Sequence, residues 1–465
     1  MNSSERIERI LSQVKSSHTS ASDRSVRCST CVRRDKCSAR HEASASRRDD
    51  IEDLFSPAKF KETQKPLLQA STLPRECYMS VEWYERELSR VFSKSWTLIG
   101  REDEISKPGD YLSFDSPHSG PVAVCRGNDG KIHAFANVCC HRGAKVLQDT
   151  KGTGAKVGLV CPYHAWTYDF NGKLKWAPGF NKTKNFDETN IRLAPIRVET
   201  FHGFVFVCDD HSVPTLRKRL GDLPEKLPEW FGDRDGKARD MVCSGRRDYV
   251  VNCNWKFLME NTCETYHTSV VHKDSLGPMK SSPMEPHVGD WDGVCVPSDR
   301  SIVPLPNDFP GELAPLPTFA KRTVFVNLFP SLQFNVTFDC MWWMRLTPLS
   351  VNRTQISMGF CFPKETVQRP RFQNVFEQYK KRWHKAVSED NAISLNQQSG
   401  LKSRHRKPGR FCQLEFGTHN FNNWLVSRVV DGARSWDAGR RVYVGNEFWS
   451  NDDPKLQRLV RSMKN

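Results

Sequence analysis

Apolar and polar positions along this chain fall into three regimes. In residues 1 to about 60, large apolar types are sparse among Ser and Arg, a composition that cannot bury enough surface to offset ordering, so residues 1–70 are expected to be a disordered basic extension. Residues 71–94 carry a helical period: Ser80 can cap a helix that places Val81, Tyr84, Leu88, Val91 and Phe92 on one face, expected to pack on the larger domain. From Trp96 to His133 the period drops to two between Gly and Pro turns, as in Tyr111 to Phe114 and Val122 to Val124, and Gly203 to Val207 adds a final strand. Residues 95–210 therefore read as a small all-β domain. The remainder, 211–465, mixes the two periods. Thr323 to Leu328, Gln333 to Phe338 and Met341 to Met344 read as strands of a sheet curled around a pocket, and Phe372, Val375, Phe376, Tyr379 and Trp383 mark a long helix. Glu415 to Leu425 read as a last strand and helix, and the fold class is α+β.

Composition changes this picture little. A chain of 465 residues, 38% apolar, suits two or three domains with real cores. The net charge of +15 raises the question of nucleic acid, but residues 1–48 alone hold eleven Lys and Arg against five Asp and Glu. The rest is spread thinly, as on a solvated surface that could meet an acidic electron donor, and no nucleic-acid partner is expected. No run approaches a membrane span and no apolar leader opens the chain, so a soluble, cytoplasmic protein is expected. The Arg and Ser content leaves organellar import open, although Glu5, Glu8 and Asp23 are wrong for a transit peptide. Sixteen Cys without regular pairing suit a reducing compartment. Cys28, Cys31, Cys37 and His41 cluster in the polar extension, where they either bind zinc or do nothing.

The chemistry is concentrated in two stretches. Cys139-x-His141 and Cys161-x-x-His164, nineteen residues apart, offer two thiolates and two imidazoles on two hairpin tips. That is the ligand set of a Rieske [2Fe-2S] centre, with Cys on one iron and His on the other. The spacing selects Cys139 and leaves Cys140 a bystander. Structural zinc also takes two Cys and two His, but usually as a Cys pair followed by a His pair. Here the sequence resembles the Rieske proteins, whose loops read C-x-H-R-G and C-P-Y-H-G-W. Ala165 stands where that family usually has Gly, and a backbone angle reserved for Gly would be strained there.

The second stretch runs from Asn254 to His272. Glu264 and His267 stand at i and i+3 on one helical face, and His272 follows just over a turn later. Two imidazoles and one carboxylate form a facial triad for non-haem Fe(II), with positions left open for O2 and substrate. The carboxylate need not be Glu264, because Glu389 and Asp390 lie on the long downstream helix. From Leu73 to about Val430 the chain resembles the large (alpha) subunit of Rieske non-haem iron oxygenases, and the pattern E-N-x-x-E-x-Y-H-x4-H matches Glu260 to His272 position by position. The resemblance implies a helix-grip (START-like) catalytic domain with a curled antiparallel sheet. It also implies that His267, His272 and Asp390 bind iron, and that Glu264 bridges to a Rieske histidine of the next subunit in a head-to-tail homotrimer. Glu at the bridge is the choice of members acting on carnitine, choline, betaines and related quaternary amines, whereas many aromatic-ring dioxygenases use Asp.

Phe334, Phe338, Trp342 and Trp343 could cage a quaternary ammonium, although a plain core role accounts for them more simply. The chain has no Gly-rich dinucleotide fingerprint, so NAD(P)H-derived electrons are expected from a separate ferredoxin or flavin-dependent reductase. The expected activity is hydroxylation of a small organic substrate with O2. An aromatic-ring-hydroxylating dioxygenase is the alternative, and a Rieske electron carrier has no use for the second set of ligands.

Overall fold

Two seven-stranded antiparallel sheets organise the chain. The computed structural model describes residues 54–230, 240–284, 288–298, 322–337 and 339–436, all within one compact unit spanning 51–465. The Cys28, Cys31, Cys37 and His41 cluster, Phe338, and the stretch 1–53 lie outside the described residues. Residues 54–70, expected to be disordered, are folded instead. Leu54, Phe60, Leu67 and Ala70 are buried, and Phe60 packs on Trp83 with ring centroids 5.4 Å apart. A few well-spaced apolar side chains anchor a segment that is polar on average.

The helix α1 (Val81–Glu87) starts where expected, with Ser80 Oγ accepting from the Trp83 amide at 2.9 Å. Its buried face differs from the expected one. Val81 is exposed, while Trp83 and Glu87 are buried, and the chain continues as a π turn over Leu88–Phe92 that turns Val91 and Phe92 inward. The cause is polar. Glu87 forms an ion pair with Lys256 at 2.7 Å, both side chains fully buried, and also accepts the indole N–H groups of Trp83 and Trp255. Burial raises the Glu87 carboxyl pKa, and the Lys256 ammonium works against that rise. Lys256→Met leaves this carboxylate uncompensated and is expected to cost about 3–5 kcal/mol in denaturant unfolding.

The first sheet comprises β1 (Thr97–Arg101), β2 (Asp110–Ser116), β3 (Gly120–Arg126), β4 (Ile132–Ala136), β5 (Lys151–Thr153), β9 (Pro195–Phe201) and β10 (Phe204–Cys208), in the order β1-β10-β9-β4-β3-β2-β5. Between β4 and β9 the chain makes a long excursion that carries β5 and a separate three-stranded sheet of β6 (Leu159–Val160), β7 (Thr167–Tyr168) and β8 (Leu174–Trp176). Both Cys/His loops lie on this excursion.

The second sheet runs β11-β17-β16-β15-β14-β13-β12. It contains β11 (Met241–Val251), β12 (Ser282–Pro283), β13 (Trp291–Pro297), β14 (Arg322–Leu328), β15 (Leu332–Val336), β16 (Met341–Ser350) and β17 (Arg353–Pro363). Both of its faces are covered, and the residues of β13 to β17 are mostly buried, whereas edge strand β11 carries Arg246, Arg247 and Asp248 and is mostly part-exposed. One face, bearing Trp342, Leu346, Ile356 and Met358, packs against α2 (Trp255–Thr262), α4 (Phe372–Gly400) and α5 (Phe416–Val429). A short helix, α3 (Thr268–Val271), follows α2. The other face, bearing Phe334, Met341, Trp343 and Cys361, packs on Phe204 and Phe206 of the first sheet and on Leu216 to Leu227. Glu415 to Leu425 contains no strand; α5 takes up nearly all of it.

The two sheets are locked across their junction. Arg246 grips Glu104 with two nitrogens, at 2.7 and 2.5 Å, and Arg345 donates to the Leu98 carbonyl at 2.6 Å. Asp103 accepts the Cys243 amide at 3.0 Å. These bonds fix the orientation of the Cys/His excursion relative to the second sheet.

Candidate active site

The two Cys/His loops share one local design. In each, the amide four residues after the cysteine bonds back to that cysteine's carbonyl: Gly143 to Cys139 at 3.0 Å and Ala165 to Cys161 at 3.1 Å. Both turns close through a left-handed residue, Gly143 at φ +73° and Ala165 at φ +58°. The strain expected of Ala at this position is therefore real, since only Gly adopts that angle freely. Ala165→Gly is expected to raise stability by about 1 kcal/mol, read as a shift in the unfolding midpoint. The second loop is a hairpin between β6 and β7, whereas the first is closed only by an isolated Val138–Lys145 bridge. Buried Asn137 stiffens it with two bonds of 2.8 Å to the backbone of Leu147.

These turns bring Cys139 and Cys161 together, both buried, and set the rings of His141 and His164 4.7 Å apart. His141 stacks on Trp166 at 5.0 Å, and its Nδ1 is buried without a hydrogen-bond partner. An orphaned imidazole nitrogen beside two thiols fits a metal cluster better than it fits a packed core. Burial raises the Cys161 thiol pKa, while desolvation, with electrostatic repulsion from neighbouring His141 and Arg142, lowers that of His164. Tyr168 donates to or accepts from Cys139 Sγ at 3.2 Å and accepts the Cys140 amide at 3.0 Å. Cys140 is exposed and turns away, its thiol bonded to the Arg192 carbonyl.

The second set of ligands forms where a helix breaks. α2 ends at Thr262, so Glu264 and His267 do not share a helical face as expected. Glu264 lies in the connection, and its carboxylate accepts the amides of Tyr266 and, at 3.1 Å, His267. Those bonds take N–H groups that a continuing helix would need. His267 and His272 then flank α3. From α4, Asp390 points at both: its Oδ1 is 3.6 Å from His267 Nε2 and 3.1 Å from His272 Nε2. One ligand atom from each of the three residues lies within 4.8 Å of the others. Asp390 Oδ1 has no properly directed hydrogen bond, as expected of a donor set aimed at a shared point rather than at one another.

The outward nitrogens are both taken by acids. Glu264 Oε1 meets His267 Nδ1 at 2.7 Å, and Glu389 Oε2 meets His272 Nδ1 at 2.8 Å. Glu264 is thereby excluded from the inner cluster, and Asp390 is the carboxylate that converges with the two imidazoles. Sequence reasoning treated Glu389 only as a rival to Asp390. Neighbours on a helix point about 100° apart, so one acid can face Nε2 and the other Nδ1. Burial works to lower the pKa of His267, but Glu264 outweighs it and the net shift is upward. For His272 burial is likewise overcome, by Asp390 first and then Glu389.

Beside these residues opens a pocket. Its wall is apolar and aromatic, with Leu258, Phe325, Trp342, Met358, Trp383 and Val387 among its residues, and its polar members include Asn261, Thr262, Gln333 and Asn391. Of the three described aromatics considered for a cage, Phe334, Trp342 and Trp343, only Trp342 lines this pocket. Phe334 and Trp343 belong to the opposite face of the sheet, because alternate residues of a strand point opposite ways. Phe325 and Trp383 take their place, Trp383 packing on Trp342 with ring centroids 3.6 Å apart.

A family model for the Rieske [2Fe-2S] domain matches residues 95–187, and one for the ring hydroxylating alpha subunit (catalytic domain) matches 239–431. The chain belongs to the Rieske non-haem iron oxygenases, as an alpha subunit. Among its relatives, the glycine betaine monooxygenase oxygenase subunit of Pseudomonas aeruginosa is 25% identical over 413 residues, covering 81% of this chain and 93% of the relative. Choline monooxygenase, chloroplastic, of Arabidopsis thaliana is 35% identical over 220 residues, 45% of this chain and 50% of that protein. The crystal structure of the quaternary ammonium Rieske monooxygenase CntA with its substrate L-carnitine superposes with a TM-score of 0.64 at 26% identity, covering 77% of this chain and 96% of that one. As a family member the chain is an oxidoreductase with a Rieske cluster and a mononuclear iron, fed by a reductase or ferredoxin, that hydroxylates a small substrate. No helix among the described residues is long and apolar enough to cross a membrane.

Proposed function

We propose that this chain is the oxygenase component of a monooxygenase acting on a small quaternary amine such as choline, carnitine or a betaine. The observation that carries the reading is a pocket whose charged lining includes the carboxylates of Glu264 and Asp390 and whose wall is built from Phe325, Trp342 and Trp383. Carboxylates and aromatic faces both attract an organic cation, and the apolar wall suits its methyl groups. The relatives named above act on substrates of this kind.

In this reading Cys139, His141, Cys161 and His164 hold the cluster within a domain spanning about 95–210, and His267, His272 and Asp390 hold the iron in a domain spanning about 211–465. When bound, the iron supplies O2 activation and the cluster supplies electrons delivered by the reductase. The protein's part is orientation. Glu264 and Glu389 accept the Nδ1 protons of His267 and His272, which fixes both tautomers and leaves each Nε2 lone pair free. The aromatic wall excludes water and holds the substrate methyl groups near the open side of the three ligands. Glu264 also serves as the bridge to a Rieske histidine of the adjacent subunit in a homotrimer, a heterologous contact that closes into a ring. None of the thirteen described cysteines forms a disulfide, which suits a reducing, cytoplasmic setting.

Purified protein, a surrogate reductase and NADH should be offered choline, carnitine, glycine betaine and naphthalene, with O2 uptake and product measured together. Coupled uptake with an amine is expected. Coupled uptake with naphthalene alone replaces this reading by ring dioxygenation. A finer expectation concerns Glu389: Glu389→Ala should speed loss of the mononuclear iron to a chelator by roughly 10- to 100-fold, and Glu389→Gln by much less, because the amide oxygen can still accept from His272.

A further inference from the structure

Between β4 and β9, residues 137–194 hold nine Lys and Arg against four Asp and Glu. Part of that excess works against the local fold. An isolated antiparallel bridge sets Lys173 opposite Arg192. The bonds flanking the bridge run from the Leu174 amide to the Ile191 carbonyl at 2.9 Å and from the Leu193 amide to the Gly172 carbonyl at 2.8 Å. Lys173 and Arg192 are therefore a non-hydrogen-bonded pair, the type whose side chains lie closest. Like charges directly opposed in this way are destabilising. Both residues are exposed, and neither forms an ion pair among the described residues. The acids nearby in sequence are engaged elsewhere: Asp169 accepts the amides of Asn171 and Lys173, and Asp187 bonds to Thr189 and Asn190. Lys175, two residues along the strand, shares the face of Lys173. Its Nζ donates to the Val157 carbonyl at 3.1 Å, which brings exposed Lys156 and Val157 alongside. The patch also touches the cluster loop. The Arg192 carbonyl accepts the exposed Cys140 thiol at 3.1 Å, and Cys140 adjoins Cys139. A second run of exposed cations, Lys402, Arg404, Lys407 and Arg410, is likewise without ion pairs among the described residues, but it lies after α4 and is fastened to Leu68 and Thr72, away from the cluster excursion.

We propose that Lys156, Lys173, Lys175 and Arg192 form the docking surface for an acidic one-electron donor protein, which reaches the cluster past Cys140. One electron passes from the reduced donor to the oxidised cluster, and no bond is made or broken. Carboxylates of the donor relieve the repulsion between Lys173 and Arg192, while exposed Val157 and Trp176 give the contact an apolar centre. Docking here makes no use of the His141 and His164 rings, which stay available for the bridge to the adjacent subunit. The inference rests on Cys139 as a cluster ligand and is independent of the substrate.

The test uses the full chain loaded with both metals and, as probe, an acidic [2Fe-2S] ferredoxin held reduced without O2. Stopped-flow absorbance follows reduction of the Rieske cluster. Its second-order rate constant is expected to fall by about tenfold or more between roughly 20 and 300 mM salt. Combining Lys173→Glu, Lys175→Glu and Arg192→Glu should slow it by about tenfold or more at low salt, with the cluster spectrum and reduction by dithionite unchanged. Combining Lys402→Glu, Arg404→Glu and Lys407→Glu makes the same change in net charge and should slow it by less than about twofold. Carbodiimide coupling of lysine amines to ferredoxin carboxylates, mapped by mass spectrometry, should mark Lys173 and Lys175. Equal slowing by the two triple variants overturns the proposal, because overall charge then accounts for both. Coupling confined to Lys402 and Lys407, or a wild-type rate indifferent to salt, overturns it as well. If the first triple variant does not fold, Lys173→Glu decides. It should raise the unfolding midpoint, since opposed cations become an ion pair, and still slow reduction by roughly threefold; an unchanged rate overturns the proposal. Purified protein lacking a Rieske spectrum overturns the cluster reading and this inference with it. A normal spectrum with a rate indifferent to the first triple variant overturns the docking surface alone.

Discussion

Asp390→Ala is expected to abolish turnover, by roughly three orders of magnitude or more, while the Rieske spectrum survives unchanged. The carboxylate is the acidic member of the three ligand groups that converge within 4.8 Å, and nothing nearby can take its place. Glu389 is committed to His272 Nδ1 and Ser275, and Glu264 to His267 Nδ1 and two backbone amides. Metal analysis should therefore show two irons and two acid-labile sulfides per chain, with the third iron gone. His267→Ala and His272→Ala should give the same pattern. The Cys/His loops sit on a separate three-stranded sheet and excursion, so the cluster spectrum should respond to Cys139→Ser and ignore Cys140→Ser. Full turnover in Asp390→Ala would show that another carboxylate holds the metal.

Glu264→Gln should keep both metals and still bind substrate, yet lose transfer between cluster and iron. The carboxylate accepts from His267 Nδ1 through one oxygen and from two backbone amides through the other. An amide has only one oxygen, so its NH2 must face donors on one side, and one of these contacts is lost. In single-turnover experiments with substrate and O2, the reduced cluster should stay reduced, with its oxidation slowed by roughly 100-fold or more. Glu264→Asp retains the charge but stretches a 2.7 Å bond by about one methylene, so reduced but measurable turnover is expected. If the bridge runs between subunits, mixed assemblies of Glu264→Gln with Cys139→Ser chains should recover part of the activity, because the cluster of the first can feed the intact bridge and iron site of the second. Normal cluster oxidation in Glu264→Gln would leave the bridging role unsupported, and with it the argument for a ring.

Much of this architecture is legible in the chain as written. Period-two alternation marks the strands of the first sheet, and the spacings Cys-x-His and Cys-x-x-His, with turn-forming neighbours, mark the cluster loops, because a cluster's donors must come from tight turns. Ala165 could be read as strained before any coordinates, since one residue's backbone angle depends on that residue's own side chain. His267 and His272 were legible from their spacing for the same local reason.

Other features depended on which surfaces meet. The face of α1 was misread because the buried Glu87 finds its partners, Lys256 and Trp255, more than 160 residues away. Residues 54–70 read as disordered because average polarity hides four anchors that matter only once a cavity exists to receive them. Phe334 and Trp343 carry the same aromatic chemistry as Trp342, and only the pleat of the sheet decides which ring reaches the pocket. Between Glu389 and Asp390 the sequence offers two adjacent acids of nearly equal chemistry. The rotation of α4 against α3 sets one on Nε2 and the other on Nδ1. The kinds of ligand and the existence of both sites were thus determined by local sequence, whereas the assignment of each acid was decided by tertiary packing, because a side chain's chemistry is its own but its partners are chosen by the fold.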